Sequence, residues 1–183
     1  VITNTSCFGG SDGVAQVVPA GGVGNFTYNW NGNAGTNPLS NLAPGNYNVV
    51  VTDGNNCTAS TTITVNQPPQ LISTPIVTNV KCYQGTDGSI NANPSGGTAP
   101  YSFNWSNNLG GQIISNLPTG LYFVTATDSK NCTATAAANV NQPTAVSVNT
   151  TSTQVSCIGS TDGTITASGA GGTLPYSFSL LLN

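Results

Sequence analysis

The sequence has no histidine, no arginine, no glutamate and no methionine in 183 residues; two lysines and five aspartates carry all its side-chain charge. Each absence excludes something. Without a basic patch nothing can grip a phosphate backbone, so nucleic acid is not expected as a partner. Attraction to an anionic membrane surface is equally unsupported. Without His, Glu and Arg the usual general acids, bases and oxyanion clamps are missing. An aspartate dyad is the one catalytic option left, so no enzyme activity and no catalytic residue is expected. No apolar run approaches a membrane span, so this segment is not expected to insert into a membrane, and no signal-peptide pattern is present. The lack of methionine leads us to expect a fragment or a processed piece. A surface of Asn, Thr, Ser and Gly has little to screen or titrate and should be nearly indifferent to salt and pH, which suits an extracellular setting.

What is present is periodic. Cys7-Phe8-Gly9-Gly10-Ser11-Asp12-Gly13 returns as Cys82-Tyr83-Gln84-Gly85-Thr86-Asp87-Gly88 and as Cys157-Ile158-Gly159-Ser160-Thr161-Asp162-Gly163, each 75 residues on. A fixed period of this size marks an array of like domains. We expect repeats at 1–68, 69–143 and 144–183, the third incomplete. Such small domains bury limited apolar surface and lean on covalent staples.

Each repeat reads as short strands joined by turns, with no helical periodicity. After Asp-Gly comes a strand with Ala15 and Val17 inward, matched by Ile90 and Ala92 and by Ile165 and Ala167. A Gly-Gly turn follows at Gly21-Gly22, Gly96-Gly97 and Gly171-Gly172. The next strand is aromatic on one face: Phe26, Tyr28 and Trp30, or Tyr101, Phe103 and Trp105. Period-two alternation means one buried and one wet face. Leu42-Ala43-Pro44-Gly45-Asn46-Tyr47, repeated around Leu117 and Tyr122, resembles the tyrosine corner of immunoglobulin-like sandwiches. A last strand follows Cys57 or Cys132 and ends at Asn66-Gln67-Pro68 or Asn141-Gln142-Pro143, where proline stops ladder pairing. Pro68-Pro69 leaves no flexible linker, so neighbouring repeats should stand in a stiff row, each adding about 35–40 Å. The expected fold is all-β: tandem immunoglobulin-like β-sandwiches. The third copy stops at Leu181-Leu182-Asn183 in mid-sandwich, so we expect the protein to continue or a partner to complete it.

The five cysteines, at 7, 57, 82, 132 and 157, fall once near each repeat's start and once 50 residues later. In small β-patterned domains this spacing reads as disulfides made in an oxidising compartment; with no His and no close Cys pair, a metal site is poorly supported. Two pairings fit the period. Cys7–Cys57 and Cys82–Cys132 would close within repeats, leaving Cys157 unpaired; Cys57–Cys82 and Cys132–Cys157 would cross junctions. Strand parity favours the first. Four clear strands between Cys7 and Cys57 return the chain to the same end of the sandwich, whereas a fifth, in residues 32–38, would not. Closing a loop of that length stabilises by about 4 kcal/mol.

Taken together, Cys-x-Gly-x-x-Asp-Gly, Gly-Gly-x-x-Pro-Tyr-x-aromatic-x-Trp, Leu-x-x-Gly-x-Tyr, Cys-Thr and a closing Gln-Pro resemble the SprB repeat of flavobacterial gliding-motility adhesins. The second repeat supplies Cys82, Asp87-Gly88, Gly96-Gly97, Pro100-Tyr101, Trp105, Leu117, Gly120, Tyr122, Asp128, Cys132-Thr133 and Gln142-Pro143. Asn25 replaces the proline, Gln84 the first glycine, and Leu180 the tryptophan. The resemblance implies a large bacterial surface protein exported across the outer membrane, its tandem repeats forming a shaft used in attachment or gliding, at the cell surface or outside it. Implied partners are neighbouring repeats, other copies of the filament and surface polysaccharide.

Three motifs admit a functional reading. Asp12-Gly13 with Asp53, or their copies, would offer calcium only two carboxylates per repeat where it wants six to eight oxygens; an Asx turn with glycine at positive φ is the expected alternative, and no cofactor is expected. The aromatic row would serve as a sugar platform in a carbohydrate-binding or enzyme-accessory array, but such rows more often form the sandwich core. The Thr58–Thr64 ladder suits a solvated strand face.

Overall fold

The computed structural model describes residues 1–181; Leu182 and Asn183 of the expected terminal run lie outside the described residues. The described chain is all-β. The first repeat contributes β1 (Ile2–Thr3), β2 (Gly13–Ala15), β3 (Thr27–Trp30), β4 (Asn33–Gly35), β5 (Leu39–Leu42), β6 (Gly45–Thr52) and β7 (Thr58–Val65). The second contributes β8 (Ile72–Ser73), β9 (Ile76–Thr78), β10 (Gly88–Asn91), β11 (Pro94–Ser95), β12 (Ser102–Trp105), β13 (Ile113–Leu117), β14 (Gly120–Thr127) and β15 (Thr133–Val140). The third contributes β16 (Ser147–Thr153) and β17 (Thr164–Ala170), paired antiparallel.

In the first repeat two sheets face each other, one ordered β1-β2-β5 and the other β4-β3-β6-β7. The second repeats the plan with β13-β10-β9 and β12-β14-β15. The β-branched and aromatic alternation dictates what lies between. Ala15, Trp30, Leu42, Val49, Ile63 and Val65 form the buried core of the first repeat, with Tyr28, Tyr47 and Val51 packed against it. Trp30 lies opposite Val49 and Tyr28 opposite Val51 in the β3–β6 ladder. Trp30 and Tyr28 of the aromatic row are thus built into the core, whereas Phe26 is half-buried and stands outside that cluster. Both indole N–H groups are satisfied, donating to Thr36 O and Gly111 O at 3.0 Å. The tyrosine corners are present: Tyr47 Oη donates to Ala43 O at 2.9 Å and Tyr122 Oη to Pro118 O at 3.0 Å. Leu-x-x-Gly-x-Tyr therefore sets where β6 and β14 leave their turns.

The Asp-Gly expectation needs correction. Gly13 and Gly88 are strand residues in β2 and β10, and their need for glycine is spatial. A Cβ on Gly13 would stand 2.7 Å from Val65 Cγ1 and 2.8 Å from Leu42 O; on Gly88 it would meet Val140 Cγ1 and Leu117 O at the same distances. The missing side chain lets the facing sheets close. The positive φ falls earlier in the heptad, at Gly9, Gln84 and Gly159, within a turn closed by Gly10 N to Cys7 O and its copies. Nor is the aspartate a local Asx turn: Asp12 Oδ1 accepts from Ser6 N, Asp87 Oδ1 from Lys81 N and Asp162 Oδ1 from Ser156 N, six residues back. An exposed Gly→Ala change in a strand ordinarily stabilises by restricting the unfolded chain. Gly88→Ala is expected to do the opposite, costing about 2 kcal/mol through overpacking. Thermal unfolding checks this; an unchanged midpoint would mean Val140 and the Leu117 carbonyl can yield.

The chain divides into two compact units that do not follow the repeat boundaries. Val1–Thr74, Asn93–Asn104 and Thr125–Ala136 form one; Pro75–Ala92, Trp105–Val124 and the chain from Ala137 onward form the other. Part of the second repeat therefore belongs to the same unit as the whole of the first. Among the described residues no helix is long and apolar enough to cross a membrane.

Candidate functional site: the junction and its disulfide

In the first and second repeats the recurring motif residues tie the head of the repeat to its own tail. Thr5 N donates to Asn66 O at 3.0 Å, Asn66 N to Asn4 Oδ1 at 3.0 Å and Gly9 N to Gln67 Oε1 at 2.7 Å. The second repeat copies this with Val80 N to Asn141 O, Asn141 N to Asn79 Oδ1 and Gln84 N to Gln142 Oε1. The Gln before Pro is therefore the lock on the Cys-x-Gly turn.

This arrangement overturns the expected disulfides. Cys7 is bonded to Cys132, with an S–S distance of 2.05 Å and Cα atoms 5.7 Å apart. Cys57, Cys82 and Cys157 are free and exposed, so neither Cys7–Cys57 nor Cys82–Cys132 forms, and the junction-crossing alternative Cys57–Cys82 is absent too. The reason is geometric. Cys57 precedes β7, whereas the Cys7 turn is locked to Gln67 just beyond the other end of β7. An eight-residue strand spans about 26 Å, far beyond the reach of a disulfide. The fifth strand is β4, Asn33–Gly35, paired with β3; it reverses the parity and puts Cys57 at the far end.

The second aspartate of each repeat organises the end where Cys57 or Cys132 lies. Asp128 Oδ1 accepts from Lys130 N at 2.8 Å and Cys132 N at 2.9 Å, and Oδ2 accepts from Thr98 N at 2.8 Å. Asp53 does the same with Asn55 N, Cys57 N and Val23 N. One carboxylate thus clips the Gly-Gly loop to the turn before the cysteine. Burial works against the Asp128 charge, yet the Thr98, Cys132 and Lys130 amides and the Lys130 ammonium outweigh it and lower its pKa. The Val23 and Cys57 amides lower Asp53; the Ser6 hydroxyl and amide lower Asp12; the Ser156 amide and hydroxyl lower Asp162. These carboxylates bind protons more weakly folded than unfolded. Their stabilisation is complete above the ordinary value of 3.8 and is lost as pH falls below it. The melting temperature is expected to stay flat from pH 8 to about 5 and to fall between about pH 4 and 2. Asp128→Asn should lower it at pH 7 and flatten the acid limb. Circular dichroism melts test this; a melting temperature that rises on acidification would contradict it.

The Gly-Gly turn has a role that sequence reading missed. In the first compact unit the chain leaving the first repeat runs into this turn of the second. Gly97 N donates to Pro69 O at 2.8 Å, β8 pairs with β11 through Ser73–Pro94 and Ile72–Ser95, and Leu71 is only 6% exposed. Gly96 and Gly97 have φ of 73° and 61°. A Cβ on Gly96 would overlap Gln70 O, and one on Gly97 would stand 3.1 Å from Leu71 Cβ. Both the backbone conformation and the close approach require glycine. In the second unit Gly172 N likewise donates to Thr144 O at 2.8 Å. The available signal was an apolar residue, Leu71 or Val146, four places after each Gln of Gln-Pro.

Two-sheet sandwiches with tyrosine corners, repeated every 75 residues and tied head to tail, define a tandem array of immunoglobulin-like repeats. The family model for the SprB repeat matches residues 1–35, 74–110 and 149–181; the chain belongs to the SprB repeat family. A search of curated proteins finds no match. Among solved structures it is similar to the amphioxus IgVJ-C2 molecule, at 15% identity and TM-score 0.35 over 73% of this chain and 97% of that one. It is also similar to the N-terminal eight Ig domains of Down Syndrome Cell Adhesion Molecule isoform 1.30.30, at 13% identity and TM-score 0.35 over 77% and 24%. A third, solved for Dscam isoform specificity, has 11% identity and TM-score 0.33 over 64% and 38%. The chain thus spans well under half the length of the two Dscam structures, and likenesses this slight carry no argument about function.

Proposed function

We propose that this chain is a length of shaft from a large extracellular bacterial adhesin or surface filament, serving attachment or gliding at the cell surface. The observation that carries the reading is the Cys7–Cys132 bond, which joins one repeat's head to the next repeat's tail-strand cysteine. A bond so placed transmits pull across a junction and shields the residues between from extension. The motif residues support it: they are spent on internal ties and not on an open site, which also argues against catalysis. The repeats at 1–68, 69–143 and 144–183 would be its building units, with neighbouring repeats, other copies of the filament and surface polysaccharide as its partners.

Single-molecule stretching from residue 1 to residue 183 tests this. The oxidised chain should withhold the length between Cys7 and Cys132, and a reductant should release it, adding about 450 Å of contour at roughly 3.6 Å per residue. Equal contour lengths in both states would remove the mechanical argument. Tight binding of one glycan by the chain on an array, with no gain in mechanical strength, would instead favour a carbohydrate-binding or enzyme-accessory module.

A further inference from the structure

In the first repeat the surface equivalent to the one that receives the Leu71 segment is an open groove. It has a volume of about 310 Å³, and its lining includes Val17, Gly22, Phe26, Val51, Asp53 and Cys57. Comparison of residues 75 apart shows what is missing. Ala126 is fully buried and Asp128 is 4% exposed, whereas Val51 and Asp53 are only half-buried. Ala134 is half-buried and Ala59 exposed. A Cβ on Gly96 would overlap Gln70 O and one on Gly171 would overlap Ala145 O, yet one on Gly21 would meet nothing within 4 Å. Gly21 and Gly22 nevertheless hold the same positive φ, 78° and 76°. Val18, beside the groove, is 75% exposed. At its edge stands Cys57, a free exposed thiol at the position where Cys132 carries the disulfide.

We infer that this groove is a docking site for the exit segment of another SprB-type repeat joined ahead of residue 1, and that Cys57 forms a disulfide with that repeat's first cysteine. The occupant is an extended strand of the pattern Gln-Pro-x-x-(Leu or Val), as in Gln67–Leu71 and Gln142–Val146. Its apolar residue covers Gly22 and the half-buried Val51, and the carbonyl two residues after its Gln accepts from Gly22 N, as Pro69 O does from Gly97 N. The disulfide is a two-electron oxidation: two thiols lose two protons and two electrons to a disulfide-forming oxidant of the compartment, the same class of oxidant that makes Cys7–Cys132. The inference rests on the shaft reading only in requiring repeats in tandem.

The test extends the 183-residue chain by a copy of residues 1–75 placed ahead of Val1. Non-reducing peptide mapping should find the copy's Cys7 joined to Cys57, and Cys57 should no longer alkylate as it does in the 183-residue chain. Amide exchange at Gly22 should slow by about tenfold or more. Leu71→Asp in the copy alone should return that exchange to the rate of the unextended chain. Cys57 remaining alkylatable, a Cys57–Cys82 peptide, or Gly22 exchange unaffected by the added repeat would overturn the proposal. The stretching experiment on the unextended chain is independent of all three outcomes, so failure here and failure of the shaft reading are told apart.

Discussion

Cys132→Ser is expected to lower the free energy of unfolding by about 5 kcal/mol under oxidising conditions, the chain-entropy value for a loop this long. The Cys7–Cys132 bond spans 125 residues, and the denatured ensemble of the bonded chain is confined accordingly. The effect matches the lower end of a small domain's whole stability, so denaturant midpoints should fall far outside error. Cys7→Ser should match Cys132→Ser, and wild type in reductant should match both. Cys57→Ser should leave the oxidised 183-residue chain unchanged, since Cys57 is exposed and unbonded. Denaturation of the four proteins in parallel distinguishes the pairings: a loss at Cys57→Ser equal to that at Cys132→Ser would restore the within-repeat bond.

Trp105→Ala should cost about 4 kcal/mol, in the range for emptying a large aromatic site. Trp105 is 2% exposed, and its indole N–H reaches Gly111 O in the turn between β12 and β13. Its loss removes both packing and the tie that shapes that turn. Trp105→Phe keeps much of the volume and drops the donor, so it should cost less, with about 1–2 kcal/mol of that from the unpaired carbonyl. Unfolding followed by circular dichroism measures both. A protein that lost Trp105 without losing stability, yet lost affinity for a polysaccharide, would make the aromatic row a binding platform.

The core was legible because period-two alternation reports burial directly. Tyr47, Val49 and Val51, and Tyr122, Val124 and Ala126, point inward as their pattern requires. The tyrosine corners were legible because glycine and tyrosine sit at fixed offsets. What could not be read was set by pairing and by space. β4 is Asn-Ala-Gly, wholly exposed, with no apolar signal; it is a strand only because it ladders onto β3. Missing it reverses the parity on which the disulfide depended. Gly13 looks like a turn glycine from its neighbour Asp12, but the reason for it is Val65, at the far end of the repeat in sequence and adjacent only once the sheets face each other. The Cys7–Cys132 bond combines one repeat period with the internal cysteine spacing, a separation that a single repeat read alone does not contain.

The bond from Cys7 to Cys132 is longer than the repeat it starts in. Where it recurs every 75 residues, successive covalent loops overlap, and every backbone bond of the array lies inside at least one of them. A protease that cuts a single peptide bond then leaves the array continuous, because a route through a neighbouring loop still joins the two sides. The shortest covalent path runs from Cys7 across to Cys132, along residues 133–156 to Cys157, and across again. Only roughly one-sixth of the contour can be drawn straight, even after every sandwich has unfolded. The reach of such an array is set by its cross-links and not by the strength of its folds.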